Sequence, residues 1–289
     1  MPAPHLLLIF VACLVWAFNF IASATGLLHF PPFLFTLLRF ILVMIVLLPF
    51  LKRPPAGQWW RLVAVAVLTG ALHFGLNFWG LQLSDDISSV AILVQAYIPM
   101  SAVMAAILLK ERLGWRSVLS ISVAFAGVLV LGFDPKVFSQ LDSALLVLLA
   151  AFSMSLGTVL MRGIRGMDPL GFQAWTALIS IVALTPVVLL LERPSPELFT
   201  EAQWQHWGGV VYSALGASIV AHGIFFFLIQ RHPVAYVTPY LLMTPLLAIV
   251  LGIVMWGDRL SWGLVAGGVL IIGGILILSL RARARATVP

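Results

Sequence analysis

Charge is scarce in this sequence. Only 9% of its 289 residues are Asp, Glu, Lys or Arg, against 62% hydrophobic residues. A water-soluble globule devotes about 25% of its residues to charge, so soluble enzymes and soluble nucleic-acid-binding domains are excluded at the level of composition. Cysteine is almost missing: Cys13 is alone, which rules out an intrachain disulfide and leaves the redox compartment unread. No P-loop, no H-E-x-x-H and no nucleophile elbow occurs, so neither ATP hydrolysis nor hydrolytic chemistry has a signature. No cofactor and no metal is expected, and the chain is not expected to be an enzyme.

Long apolar runs take the place of charge. A bilayer core about 30 Å thick needs roughly 20 apolar residues per helix, and the sequence divides into ten runs of about that length: 6–27, 33–51, 62–83, 88–109, 117–132, 144–161, 170–191, 207–229, 235–256 and 262–280. Hydrocarbon offers no water to open backbone groups, so runs this continuous must be helices, whereas barrel strands would alternate over about ten residues. The run ending in Ala22-Ser23-Ala24 superficially fits a cleaved leader, but the preceding MPAPH has no Lys or Arg and the run carries Trp16 and Asn19; a retained helix is expected.

The net charge of +6 finds its explanation in the loops. With the N-terminus inside, the inner segments hold Lys52, Arg53, Arg61, Lys110, Arg112, Arg116, Arg162, Arg165, Arg231, Arg281, Arg283 and Arg285, and the outer ones only Lys136, Arg193 and Arg259. That asymmetry places both termini in the cytoplasm. The acids lean outward: Asp85, Asp86, Asp134, Asp142, Glu192, Glu197, Glu201 and Asp258.

The text LLKERLGW at 108–115 returns as MWGDRLSW at 255–262, each copy between a fourth and a fifth helix of a five-helix set, and AFAGVLVL and IIGGILIL close the two sets. Gly127 matches Gly274, Pro99 matches Pro245, and Gln82 matches Gln230 after a one-residue slip. An odd number of spans per repeat makes the second copy enter the bilayer from the other side. The expected fold is therefore an all-α polytopic membrane protein of ten transmembrane helices, built as two inverted five-helix repeats, residues 1–134 and 135–289. Secondary transporters use this plan, with substrate near the midplane between the repeats.

Several stretches carry a family resemblance: LVWAFNFIAS, PPFLFTLLRF, the run from GLQLSDDISSVAILVQAYIPMSAV to LLKERLGW, and AFAGVLVL. In order and with correct spacing they resemble the EamA-type repeat of the drug/metabolite transporter (DMT) superfamily over nearly the whole chain, and within it YddG-type bacterial amino-acid exporters. The resemblance implies outward movement of small metabolites across the bacterial inner membrane. The second half departs from the pattern at SMSLGTVLMR, which lacks the Trp and Asn of LVWAFNF, so Trp16 and Asn19 have no counterparts there.

Polar groups inside spans are costly unless they face protein or a wet cavity. Asn19, His73, Asn77, Gln95, Gln173 and His222 are the main ones; His73 and Asn77, four apart, share a helix face. Trp16, Phe78, Trp79, Trp175, Phe225, Phe226, Tyr236 and Tyr240 supply aromatic surface for an apolar side chain or ring. The substrate-site candidates are Trp16, Asn19, His73, Asn77, Phe78, Gln95, Trp175, His222, Phe226 and Tyr240. Each has a plainer alternative, a hydrogen bond to a neighbouring helix or core packing. Trp59, Trp60, Trp204 and Trp207 sit at span edges as interface anchors. Arg39, alone among Lys and Arg well inside a span, either meets a substrate carboxylate or locks helix two to a neighbour. Pro99 and Pro245 remove backbone donors at equivalent places and are candidate hinges. Gly263, Gly267, Gly268, Gly273 and Gly274 suit close helix packing, with dimerisation as the alternative to a monomer.

No Asp or Glu falls clearly within hydrocarbon depth, so facilitated diffusion or exchange is expected, with His73 or His222 as the buried proton carriers if coupling exists. The leading reading is a secondary exporter of amino acids, aromatic or apolar ones among them, working by alternating access. The expected partners are a small-molecule substrate and the lipid bilayer, without nucleic acid. The rivals are a proton-coupled exporter of other metabolites or hydrophobic drugs, and a membrane enzyme or scaffold acting on lipid headgroups.

Overall fold

The computed structural model describes residues 2–54, 56–110, 114–232, 237 and 240–286. Among them the long elements are all helices and no strand occurs. In chain order they are α1 (Ala3–Leu27), α2 (Pro32–Phe50), α3 (Trp59–Leu83), α4 (Ile87–Leu108), α5 (Trp115–Gly132), α6 (Leu141–Met161), α7 (Pro169–Glu192), α8 (Trp204–Phe225, continuing to Arg231), α9 (Met243–Trp256) and α10 (Trp262–Ala286). Seven of the described helices are long and apolar enough to cross a membrane. The apolar parts of α5, α9 and α10 are shorter, Ser117–Leu131, Met243–Trp256 and Trp262–Ile277. In α10 the end of the apolar stretch reflects sequence, since Arg281, Arg283 and Arg285 follow.

Local irregularities fall where the chain chemistry puts them. Proline at 99 cannot donate to the carbonyl of Gln95 and its ring crowds that turn; Val94–Ala96 accordingly leaves α-geometry for a 3-10 turn. In the second half Leu242 leaves the helix as a turn three residues before Pro245. Tyr236 and Pro239 lie outside the described residues. Two longer irregular stretches are π-helical, Val67–Leu72 in α3 and Tyr212–Ala221 in α8. Each ends directly before a histidine, His73 or His222.

Packing pairs the two halves of the chain. α1 lies on α8 and α9, and α6 lies on α3 and α4; α2 runs along α7, α5 along α10, and α4 meets α9. These pairings between the halves are unchanged when α1–α5 are exchanged for α6–α10, whereas within the first half α2 also lies on α3 without a match of the same extent between α7 and α8. Backbones approach closely where α8 meets α1, a Cβ built on Gly209 running into the carbonyl oxygen of Ala22, and where α5 meets α10, a Cβ on Gly127 standing 2.7 Å from that of Gly267 and one on Gly274 2.7 Å from that of Ser120. Gly263 is as tightly confined by Asp134, whereas Gly273 faces open space. Small residues here let two backbones touch.

The bundle has a basic end and an acidic end. At the first, Arg61 donates to the carbonyl of Gly163 (2.8 Å), Gln58 to that of Arg165 (3.1 Å), and His5 meets His232 at 2.6 Å. At the second, carboxylates close helix N-termini supplied by the other half. Both oxygens of Glu192 accept from the amides of Phe33 and Leu34 at the start of α2 (2.8 and 2.7 Å). Asp258, the acid of the second repeated tag, accepts from Ser88 N (2.8 Å), Ser88 Oγ (2.6 Å) and Ile87 N (3.3 Å) at the start of α4. Asp134 accepts from Ser261 Oγ beside the start of α10 (2.5 Å). These positions carry unsatisfied amides and the positive end of the helix dipole. The tag's first acid, Glu111, lies outside the described residues, but Lys110 and Gly257, the residues before the two acids, share a left-handed backbone (φ 54° and 82°).

Replacing Gly127 by Leu forces α5 off α10 and should cost about 1–3 kcal/mol, the range for overpacking a filled core. Thermal unfolding in detergent is expected to show a lowered midpoint for Gly127→Leu and little change for Gly273→Leu; equal effects would contradict the packing described.

Candidate substrate site

The π-helical stretch of α8 organises the polar interior. Its i+5 bonding leaves one carbonyl per bulge without the usual partner, and side chains of α1, α7 and α8 itself meet such carbonyls. Trp16 Nε1 on α1 donates to the carbonyl of Ala217 at 3.3 Å, and His222 Nδ1 meets the same oxygen at 2.7 Å. Gln173 Nε2 on α7 donates to the neighbouring carbonyl of Ser218. Arg39 Nε on α2 donates to Ser218 Oγ at 2.9 Å, and that hydroxyl donates to the carbonyl of Ser213, five residues back, at 2.9 Å.

Arg39 is the centre of this arrangement. Only 2% of its surface is exposed. Its guanidinium carbon lies 3.8 Å from the ring centre of Phe74 and 5.6 Å from that of Phe78, so aromatic faces replace part of its hydration. Nη1 has no hydrogen-bond partner among the described residues. Nor do Asn19 Oδ1, Asn77 Oδ1 and Gln173 Oε1, all buried amide oxygens. The interior thus leaves one cationic donor and several amide acceptors unmatched, groups that would gain from an anionic and a donor partner.

The structure distributes the expected residues unevenly. Trp16 and His222 meet edge to face (5.1 Å between ring centres, 78°), and Phe225 packs on the same indole at 6.0 Å. His73 is buried with Nδ1 3.0 Å from the carbonyl of Ala150 on α6, and Asn77 lies one turn further along α3. Phe78 is buried against Phe35 and Phe74 and belongs to the aromatic wall around Arg39. Gln95 is buried within the 3-10 turn of α4. Tyr240 packs beside Ile9, Cys13 and Leu228, and its carbonyl accepts from Cys13 Sγ. Phe226 falls on α8, its side chain outside the described residues.

Trp175 is not brought into this group. Its Nε1 donates to the carbonyl of Lys52 at 2.7 Å and its ring meets Trp59 edge to face, both at the basic end, because Trp175 sits less than two turns from the start of α7 at Asp168-Pro169. Of the expected anchors, Trp59, Trp60 and Trp204 are exposed, while Trp207 packs on Phe30 inside the bundle. Sequence reasoning passed over Ser213, Ser218 and Phe74. A usable signal was present: HFGLNFWGLQ and HGIFFFLIQ both open on His and close on Gln, which pairs His73 with His222 and draws attention to the small, serine-bearing turns before the second.

An all-helical bundle with several membrane-length apolar helices and a charged, aromatic-lined interior is the plan of a polytopic membrane protein. The model of the EamA-like transporter family matches residues 3–133 and again 142–280, and the chain belongs to that family. It is similar to a probable amino-acid metabolite efflux pump of Salmonella typhimurium, 27% identical over 94% of each chain. It is also similar to the uncharacterized transporter YvbV of Bacillus subtilis, 28% identical over 97% of this chain and 92% of that one, and to the uncharacterized inner membrane transporter YedA of Escherichia coli, 25% identical over 88% and 83%. A solved crystal structure shares the fold at a TM-score of 0.65, covering 99% of this chain and all of the other at 22% identity.

Ser218→Ala removes the acceptor of Arg39 Nε and leaves a second buried guanidinium nitrogen unmatched. A loss of about 1–3 kcal/mol is expected, read as a lower unfolding midpoint in detergent, with Ser218→Thr restoring most of it. An unchanged midpoint in Ser218→Ala would remove the lock between α2 and α8.

Proposed function

We propose that the protein exports amino acids across the bacterial inner membrane by alternating access, binding the zwitterion at the Arg39 centre. The observation that carries this reading is the buried Nη1 of Arg39, unmatched among the described residues, together with the unmatched amide oxygens of Asn19, Asn77 and Gln173. The substrate carboxylate pairs with the guanidinium, its ammonium donates to amide oxygens, and its side chain lies against Trp16 and Phe225. His73 and His222 keep their places through Nδ1, on the carbonyls of Ala150 and Ala217. A cationic drug would meet a like charge in Arg39, which disfavours the hydrophobic-cation alternative.

The architecture we infer is ten spans in two inverted repeats, 1–134 and 135–289. The exchange symmetry of the packing between the halves, the doubled family match and the shared left-handed residues at 110 and 257 support it. The basic end faces the cytoplasm by the positive-inside rule, with both termini there. The breaks before Pro99 and Pro245 serve as hinges, lying at equivalent places in α4 and α9.

Proteoliposomes loaded with single amino acids are expected to release substrate without an imposed pH gradient. Arg39→Gln should lower the rate roughly 10- to 100-fold, the value of one buried charge-assisted hydrogen bond. An amino-acid amide, lacking the carboxylate, should be a poor substrate for the native protein to a similar degree. Equal transport of acid and amide would overturn the assignment.

A further inference from the structure

The acidic end holds a group that export of a solute does not by itself require. Asp86 is the N-cap of α4, accepting from Ser89 N at 3.1 Å and from Ser89 Oγ through the same oxygen, Oδ2. Asp258, from the turn between α9 and α10, caps the same helix start through Ile87 and Ser88. Two carboxylates from opposite halves of the chain thus share one helix N-terminus. Asp86 is 8% and Asp258 7% exposed, and Oδ1 of Asp86 is buried without a partner among the described residues. Both line a cavity of about 260 Å³ with Asp85, Ser89, Gln140 and Arg259.

We propose that Asp86 and Asp258 form a proton-binding site that latches the acidic end: one proton held between them keeps α4 against the α9–α10 turn, and its loss parts the two halves there. A helix N-terminus stabilises one negative charge well. A second anion in the same small, partly dry space repels the first. Other charged groups face the same cavity. Asp85 adds a third carboxylate, bonded to Gln140 Nε2, and Arg259 is the one guanidinium lining the cavity among the described residues. Burial, and then the charge of Asp258, push the Asp86 carboxyl up from its ordinary 3.8 to about 6, with the Ser89 hydrogen bonds pulling the other way.

The direction of the pH response follows. A carboxyl whose value is raised in the latched state binds its proton there more tightly than when the mouth is open and wet. The latched state is therefore favoured as pH falls from about 6 towards the ordinary value of 3.8, by up to about tenfold per pH unit for one proton, and the advantage is gone above pH 6. If this end faces outward, as proposed above, an acidic exterior shuts the exit. The latch itself does not rest on that orientation or on the substrate, and its test uses neither.

Spin labels on Cys at Leu83 and Leu260, exposed positions of the two halves at the acidic end, in a Cys13→Ala background report the separation by pulsed electron resonance in detergent. The native pair is expected to shift from a short to a long population as pH rises from 4 to 8. Asp86→Asn, an equally good N-cap that carries no charge, should stay short throughout. In parallel, the infrared spectrum of the unlabelled protein should contain a carboxylic-acid carbonyl band that titrates with a midpoint near 6, vanishes in Asp86→Asn and persists in Asp85→Asn. A pH-independent separation, a native-like titration in Asp86→Asn, or a band lost with Asp85 would each overturn the proposal. Should the Asn variant fail to fold, the native band and its survival in Asp85→Asn still decide it.

Discussion

A guanidinium buried in a bundle of apolar helices is the constraint on which this molecule turns. Removing such an ion from water costs several kcal/mol even after the protein relaxes. Phe74 and Phe78 supply aromatic faces and Ser218 supplies one acceptor. That accounts for Nε and for the flat faces of the group, and Nη1 has no partner among the described residues. Arg39 therefore does two jobs that sequence reading held as alternatives: it ties α2 to α8 and it presents charge to the interior. The tie works because the π-helical turn of α8 turns Ser218, Ser213 and the Ala217 carbonyl toward one another, where a regular helix would have satisfied them internally.

The ends of the bundle obey the same accounting of polar groups. Helix N-termini expose amides that hydrocarbon cannot satisfy, and at the acidic end Glu192, Asp258 and Asp134 meet the starts of α2, α4 and α10. In two of the three the acid comes from the other half of the chain to a helix in the first, and in the third the order is reversed, so closing the ends also joins the halves. The outward lean of the acids, which in sequence looks like the counterpart of a topology rule, has this structural use as well. It also places two carboxylates on one helix start, where a proton can decide whether they stay together.

Much of the class was legible beforehand, and the reasons are physical. Long apolar runs can only be helices in lipid, so the all-helical fold followed from composition, and family membership followed from five ordered motifs. Gly127 and Gly274 were read as a matched pair, and both press backbone on backbone between α5 and α10. The candidate site was less legible. Trp175 has the composition of a site residue, yet its distance from Asp168 puts it at the basic end on the carbonyl of Lys52. Ser218 and Ser213 were invisible because serine is unremarkable in a span; only the five-residue spacing of a π turn makes them meet. Asp86 and Asp258 were read as loop charges because hydropathy counts residues along the chain and does not register that two loops from different halves bury each other.

The central claim is that the Arg39 guanidinium waits for a carboxylate. Selective nitrogen labelling of arginine, with Arg39 assigned through its loss in Arg39→Lys, reads that group directly by magnetic resonance in nanodiscs. On adding a transported amino acid the Arg39 side-chain resonances should shift and saturate, and the same concentration of the corresponding amino-acid amide should leave them in place. Resonances that ignore the amino acid, or follow acid and amide alike, would contradict the account.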